Sequence, residues 1–189
     1  MSVTSPPIEL IERQRRITVD EYHRMIDAGI LGEDDHVELI EGFLVDMTPQ
    51  KSPHAYAIQR LDRLLNKALP DEFDVRVQLP LSLARRSEPE PDIAVVRTSP
   101  LQAREHPAMA LLVAEVSPGS LLYDRTVKAR LYARHGIPEY WIVNLDADRI
   151  EVHRDPDPAA ESYRSVLTFG PGHPVTAAGV TVDLADLLG

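Results

Sequence analysis

Two short apolar runs constrain the fold more than any other feature of this chain. Ile93-Ala-Val-Val96 and Ala110-Leu-Leu-Val-Ala114, the second followed by Glu115 and Val116, have no polar alternation. Strands read this way when both faces of their sheet are covered, so the runs predict central strands with helices on either side. Each run also presents one carboxylate. Asp92 directly precedes the first, behind Pro91, and Glu115 lies near the end of the second. Proline suits the first residue of a strand because no ladder donor is needed there. An acid inside an apolar run carries a large desolvation cost unless it is exposed at the strand end, paired with a cation or bound to a metal.

The flanking segments supply the rest of such a fold. Thr18-Val-Asp-Glu21 is a capping box, followed by Val19, Tyr22, Met25 and Ile26 at helical spacing, with Gly29 as a stop. Val37–Ile40 and residues 43–47 read as a hairpin around Glu41-Gly42. Ser52-Pro53 starts a second helix, whose stripe is Ile58, Leu61, Leu64, Leu65 and Leu69. Phe73, Val75, Val77 and Leu79 alternate as a half-buried strand. A helix is expected over residues 122–135, stopped by Gly136 and Pro138, and a strand over 140–143. Beyond it, residues 149–153 and 162–167 flank Asp155-Pro-Asp-Pro158 as a hairpin. Pro171-Gly-His-Pro174 reads as a turn, Val180–Val182 as an edge strand and 184–188 as a helical turn.

The central order is helix, three strands, helix, strand. The expected fold is therefore α/β, a mixed central sheet flanked by helices, with β hairpins added at the N- and C-terminal ends. Residues 1–16 read as a flexible arm and 17–189 as one domain.

Composition narrows the function. No apolar run approaches the roughly 20 residues needed to cross a bilayer. The N-terminus lacks a basic region followed by an apolar stretch, so no membrane and no secretory route is expected. With no cysteine, disulfides and thiolate metal sites are excluded, which fits a cytoplasmic protein. The net charge of -10 argues against a DNA-coating protein. Its distribution is uneven. Residues 51–86 carry 7 basic and 4 acidic side chains and 97–135 carry 6 and 3, against 4 and 11 in residues 1–50. Local field matters more than total charge for a polyanion entering a cleft.

Two acids and one base converging at strand ends can hold a divalent metal and activate water against a phosphodiester. Asp92 and Glu115 are the acids. Lys128, on the helix after Glu115 and four residues beyond Asp124, is the base. Hard oxygen ligands without cysteine favour Mg2+ or Mn2+ over zinc. Of the remaining acids, Glu41 in the hairpin turn is preferred slightly over Glu38, which alternates with Val37 and Leu39. His54 near a helix start is a candidate for the substrate or the metal's surroundings, with a plain surface histidine favoured. Gln78 shares a strand face with Arg76 and is placed toward the same cleft. Tyr140 and Trp141 read as core.

Pro91-Asp92 followed by Glu115-Val-Ser117 resembles the Pro-Asp…(Asp/Glu)-X-Lys nuclease superfamily, whose restriction-endonuclease-like core has the same αβββαβ order. Within it, the chain resembles the Uma-two-type endonucleases. The likeness runs through Glu38-Leu-Ile-Glu-Gly42, His54, Glu90-Pro-Asp92, Leu112-Val-Ala-Glu-Val-Ser117, Tyr123-Asp-Arg-Thr-Val-Lys128 and residues 132–143. It implies a metal-dependent DNA endonuclease and a backbone-carbonyl ligand at Val116. The superfamily's lysine would stand two residues after Glu115, where this chain has Ser117. The resemblance implies that Lys128 takes over, with Asp124 orienting it. A homodimer would let two sites cut two strands. The alternative is an inactive nuclease-fold protein that binds nucleic acid or serves in assembly. No helix-turn-helix or zinc finger is present to read bases.

Overall fold

The computed structural model describes residues 13–32, 34–47, 51–117, 121–177 and 179–188. Most of the expected arm, residues 1–12, lies outside the described residues. The chain divides into two compact units, one ending at Met47 and including Ala84–Pro89, the other comprising Thr48–Leu83 and Glu90–Gly189.

The N-terminal unit contains α1 (Val19–Asp27) and the antiparallel hairpin β1 (Val37–Ile40) and β2 (Phe43–Asp46). The capping box forms as its sequence dictates. Thr18 Oγ accepts from the Glu21 amide at 3.3 Å, and the Thr18 amide donates to Glu21 Oε2 at 2.9 Å. The hairpin turns on Glu41 and Gly42, at φ 51° and 85°. Positive φ at both central residues matches the twist of the two strands. Gly42 has a second reason to be glycine, because an added Cβ would stand 2.7 Å from Arg16 Cβ. Residues 84–89 join this unit through a backbone bridge between Leu39 and Glu88.

The C-terminal unit is built on six strands: β3 (Phe73–Val77), β4 (Ile93–Arg97), β5 (Leu112–Ser117), β6 (Glu139–Asn144), β7 (Arg149–Asp157) and β8 (Ser162–Phe169), adjacent in that order. Only β5–β6 is parallel, and a helical segment over residues 121–134 makes the crossover it requires. The sheet is thus mixed, as expected. On one face lies α2 (Ser52–Ala68), which turns Ala57, Ile58, Leu61 and Leu65 toward Ile93, Val95, Leu112, Ala114, Val116 and Trp141. Leu61 and Leu65 are fully buried, each contributing about 1.5–3 kcal/mol from removal from water. The same core includes Val175, Val180, Val182, Leu184 and Leu187. These come from the hairpin β9 (Val175–Ala177) and β10 (Val180–Val182) and from α3 (Ala185–Leu188).

Three details depart from expectation. β3 ends at Val77 because Gln78 takes φ 50°, so Leu79 is exposed rather than part of the strand. β7 runs on through Asp157, placing the turn at residues 158–161 instead of 155–158. The crossover helix is interrupted by a π turn, Asp124–Lys128.

Candidate active site

Asp92 and Glu115 meet at one end of β4 and β5. The strands are antiparallel with Ile93 opposite Ala114, so the residue before β4 falls beside Glu115. Asp92 Oδ2 accepts from the Val116 amide at 2.8 Å, and the Asp92 amide donates to Glu115 Oε2 at 3.3 Å. Both acids are buried, at 8 % and 7 % exposure. Such burial is tolerable only with compensating partners.

Those partners come from the crossover helix. Lys128 Nζ lies 3.2 Å from Glu115 Oε1, and the Tyr132 hydroxyl donates to the same oxygen at 2.8 Å. Lys128 is itself buried. The π turn shapes this approach. It routes the Ala129 amide to the Asp124 carbonyl, which also accepts from the buried Tyr140 hydroxyl at 3.2 Å. Single π turns within α-helices often occur at functional sites. Burial pushes the Tyr140 hydroxyl well above its usual range, and the Glu115 and Asp124 charges push it further, so it stays a donor. Asp124 is buried on this turn, one helical turn before Lys128.

From the other side come Gln78 and His54. Gln78 Nε2 donates to Asp92 Oδ1 at 3.2 Å. It reaches that oxygen through its left-handed backbone, not by sharing a face with Arg76. Arg76 instead donates to the Pro80 carbonyl at 3.2 Å and approaches His106 Nδ1 at 3.3 Å. His54 is buried at 7 % exposure, contrary to the favoured surface reading. It occupies the same helical face as Ala57, Ile58 and Leu61. Its Nε2 stands 3.1 Å from Asp92 Oδ1, but neither ring nitrogen is hydrogen-bonded.

The remaining acids belong to the N-terminal unit. Glu38 is buried on β1, and Glu41 is half-buried in the hairpin turn, where its amide donates to Ser87 Oγ at 3.0 Å. Tyr140 and Trp141 are core residues, as expected. Tyr132 is the site residue that sequence reasoning missed. Its signal was its position four residues after Lys128, on the same helical face.

The donor set suits a hard divalent cation, since Asp92 and Glu115 offer carboxylate oxygens side by side. Among the described residues, no three His, Cys, Asp or Glu side chains cluster as a metal site. The fit therefore rests on the two carboxylates. A divalent cation that keeps several of its waters needs few protein ligands of this kind.

The mixed sheet flanked by helices places the chain in the restriction-endonuclease-like fold. It belongs to the Uma2 family, whose description is "Putative restriction endonuclease" and whose model matches residues 19–185. It is similar to a crystal structure described as a putative nuclease belonging to DUF820 from Anabaena variabilis, with 20% sequence identity and a TM-score of 0.72. The likeness covers 91% of this chain and 97% of that one. At this identity it establishes the fold alone. No curated protein matches the chain.

Proposed function

We propose that this protein is a metal-dependent nuclease that hydrolyses phosphodiester bonds in DNA. The observation that carries this reading is the convergence of Asp92, Glu115 and Lys128, with Lys128 Nζ 3.2 Å from Glu115 Oε1. Family membership supports the same class.

Asp92 and Glu115, with the Val116 carbonyl, would hold Mg2+ or Mn2+. Bound there, the ion supplies a lowered water pKa and polarisation of the phosphate. The protein's own groups orient the reaction. The Val116 amide fixes Asp92 Oδ2, and Gln78 restrains Oδ1. Lys128 Nζ, positioned by Glu115, donates to the attacking water or to a non-bridging phosphate oxygen as negative charge grows there. Water attacks phosphorus, one P–O ester bond breaks, and a phosphate monoester and a free hydroxyl leave. No protein nucleophile is used. A homodimer would bring two such sites to the two strands of a duplex.

One observation favours the inactive alternative. Lys128 and Tyr132 both engage Glu115 Oε1, which gives that carboxylate oxygen a structural role. Hydrolysis of a labelled duplex, with Mg2+ or Mn2+ and with chelator, decides between them. The nuclease reading expects cleavage that chelator and Asp92→Asn both abolish. Cleavage that survives Asp92→Asn would reject the site.

A further inference from the structure

The N-terminal unit, although its acids outnumber its bases, gathers arginines around one cavity in a chain whose net charge is -10. A cavity of ≈ 550 Å³ is lined by Arg15, Arg16, Arg24, Arg85 and Arg86. Two of these guanidiniums have structural work. Arg15 pairs with Glu21. Arg16 donates to the Glu41 carbonyl at 2.8 Å and lies 3.6 Å above the Phe43 ring. Arg24, Arg85 and Arg86 are exposed and have no ion-pair partner among the described residues. The acids in the lining are Asp20 and Glu21. Glu21 is committed to the α1 cap and to Arg15, and the Thr18 amide, with Arg15, holds its carboxyl below the usual range.

Arg85 and Arg86 are held in place by their backbone. Ala84 and Ser87 bond to each other in both directions, at 3.3 and 3.2 Å, so the arginines form the tip of a two-residue turn. The Arg85 carbonyl accepts from the Val19 amide at 2.9 Å, and the Arg86 carbonyl accepts from the Gly42 amide at 2.7 Å. The turn is thereby fastened to both α1 and the β1–β2 hairpin. Side chains of one sign that line one cavity repel, and an anion between them relieves the repulsion. Acids outnumber bases in the chain, yet among the described residues these guanidiniums have no acid partner. A guanidinium fork matches phosphate oxygens two at a time.

We propose that this arginine-lined cavity binds the phosphate backbone of DNA. The choice of DNA as the phosphate source rests on the nuclease reading. The binding surface itself rests on the arginine geometry.

The test is anisotropy of a short labelled duplex with the full chain in chelator, where cleavage is off. The Arg24→Ala/Arg85→Ala/Arg86→Ala variant is compared with the parent. A control, Arg149→Ala/Arg164→Ala, removes two charges, as many as Arg85→Gln/Arg86→Gln, from exposed positions of the C-terminal unit outside its locally basic segments. Arg85→Gln/Arg86→Gln guards against misfolding, with melting curves for every variant. The cavity variant is expected to weaken binding at least about tenfold and to flatten the salt dependence, by about 0.9 in log–log slope for each phosphate no longer neutralised. The control should stay near the parent. Equal losses in the cavity variant and control, no loss in the cavity variant, or no binding by the parent would overturn the proposal. Plasmid cleavage by the parent, assayed separately, distinguishes the two readings. Cleavage with unaltered binding by the cavity variant rejects the cavity alone. Cavity-dependent binding without cleavage supports the cavity and removes the nuclease.

Discussion

Lys128 Nζ stands 3.2 Å from Glu115 Oε1, and both side chains are buried. The pair joins the end of β5 to the π turn of the crossover helix. Its chemistry follows from its burial, because neither charge is solvated and each is the other's compensation. Breaking a buried pair by removing one partner costs about 3–5 kcal/mol, mostly from the charge left behind. Lys128→Met and Glu115→Gln are each expected to destabilise the protein. The double variant should lose less than the sum, because it strands no charge. Urea unfolding of the four proteins measures this coupling, and strictly additive losses would show that the pair is not energetically real.

Tyr132 donates to the same carboxylate oxygen at 2.8 Å while its ring lies 5.0 Å from that of Tyr140. Tyr132→Phe keeps the ring and removes only the hydroxyl. A hydrogen bond to a charged group contributes about 1.5–3 kcal/mol, so a loss in that range is expected in chemical denaturation. An unchanged midpoint would mean that Lys128 alone satisfies Glu115.

His153 gives a pH prediction. Burial lowers its pKa, Glu151 opposes that shift, and Arg125 adds to it. The ring is therefore neutral in the folded protein where an unfolded histidine begins to protonate. Between the ordinary value near 6.5 and the lower folded value, the unfolded chain binds more protons. Stability present above about pH 6.5 is then lost as pH falls through that window. His153→Phe should flatten this part of the stability profile, as read by thermal melts from pH 7.5 to 5. An identical slope in the variant would assign the acid sensitivity elsewhere.

Gly42 tests the N-terminal unit. Its φ is 85°, and a Cβ there would meet Arg16 Cβ at 2.7 Å and the Ile17 carbonyl oxygen at 3.0 Å. Gly42→Ala should cost at least about 1–3 kcal/mol from backbone strain, before any cost of displacing Arg16. Differential unfolding by urea checks it. A neutral substitution would mean that the turn can relax.

Asp92, Glu115 and Lys128 were legible because an acid in an apolar run is expensive, and the sequence places a cation on the next helix. The helix periodicity also marked the face toward the sheet. His54 was harder to read. Its position near a helix start suggested exposure, although its spacing to Ala57, Ile58 and Leu61 put it on the buried face. Gln78 depended on a left-handed backbone that strand alternation does not encode. Tyr132 carried no chemical signal of its own, since a tyrosine on an amphipathic helix reads as core. The turn at Arg85 and Arg86 lies in a segment without periodicity. It is placed by bonds to Val19 and Gly42, partners far away in sequence.

The central claim is metal-dependent hydrolysis through Asp92, Glu115 and the helix-borne lysine. Cleavage of supercoiled plasmid with Mg2+ or Mn2+ tests it most directly, using the parent, Asp92→Asn and Lys128→Gln, each verified as folded. The account predicts nicking by the parent and a loss of about a hundredfold or more in both variants, as expected when a group stabilising the transition state is removed. A parent that binds metal but cleaves no DNA, or a Lys128→Gln variant as active as the parent, would contradict it.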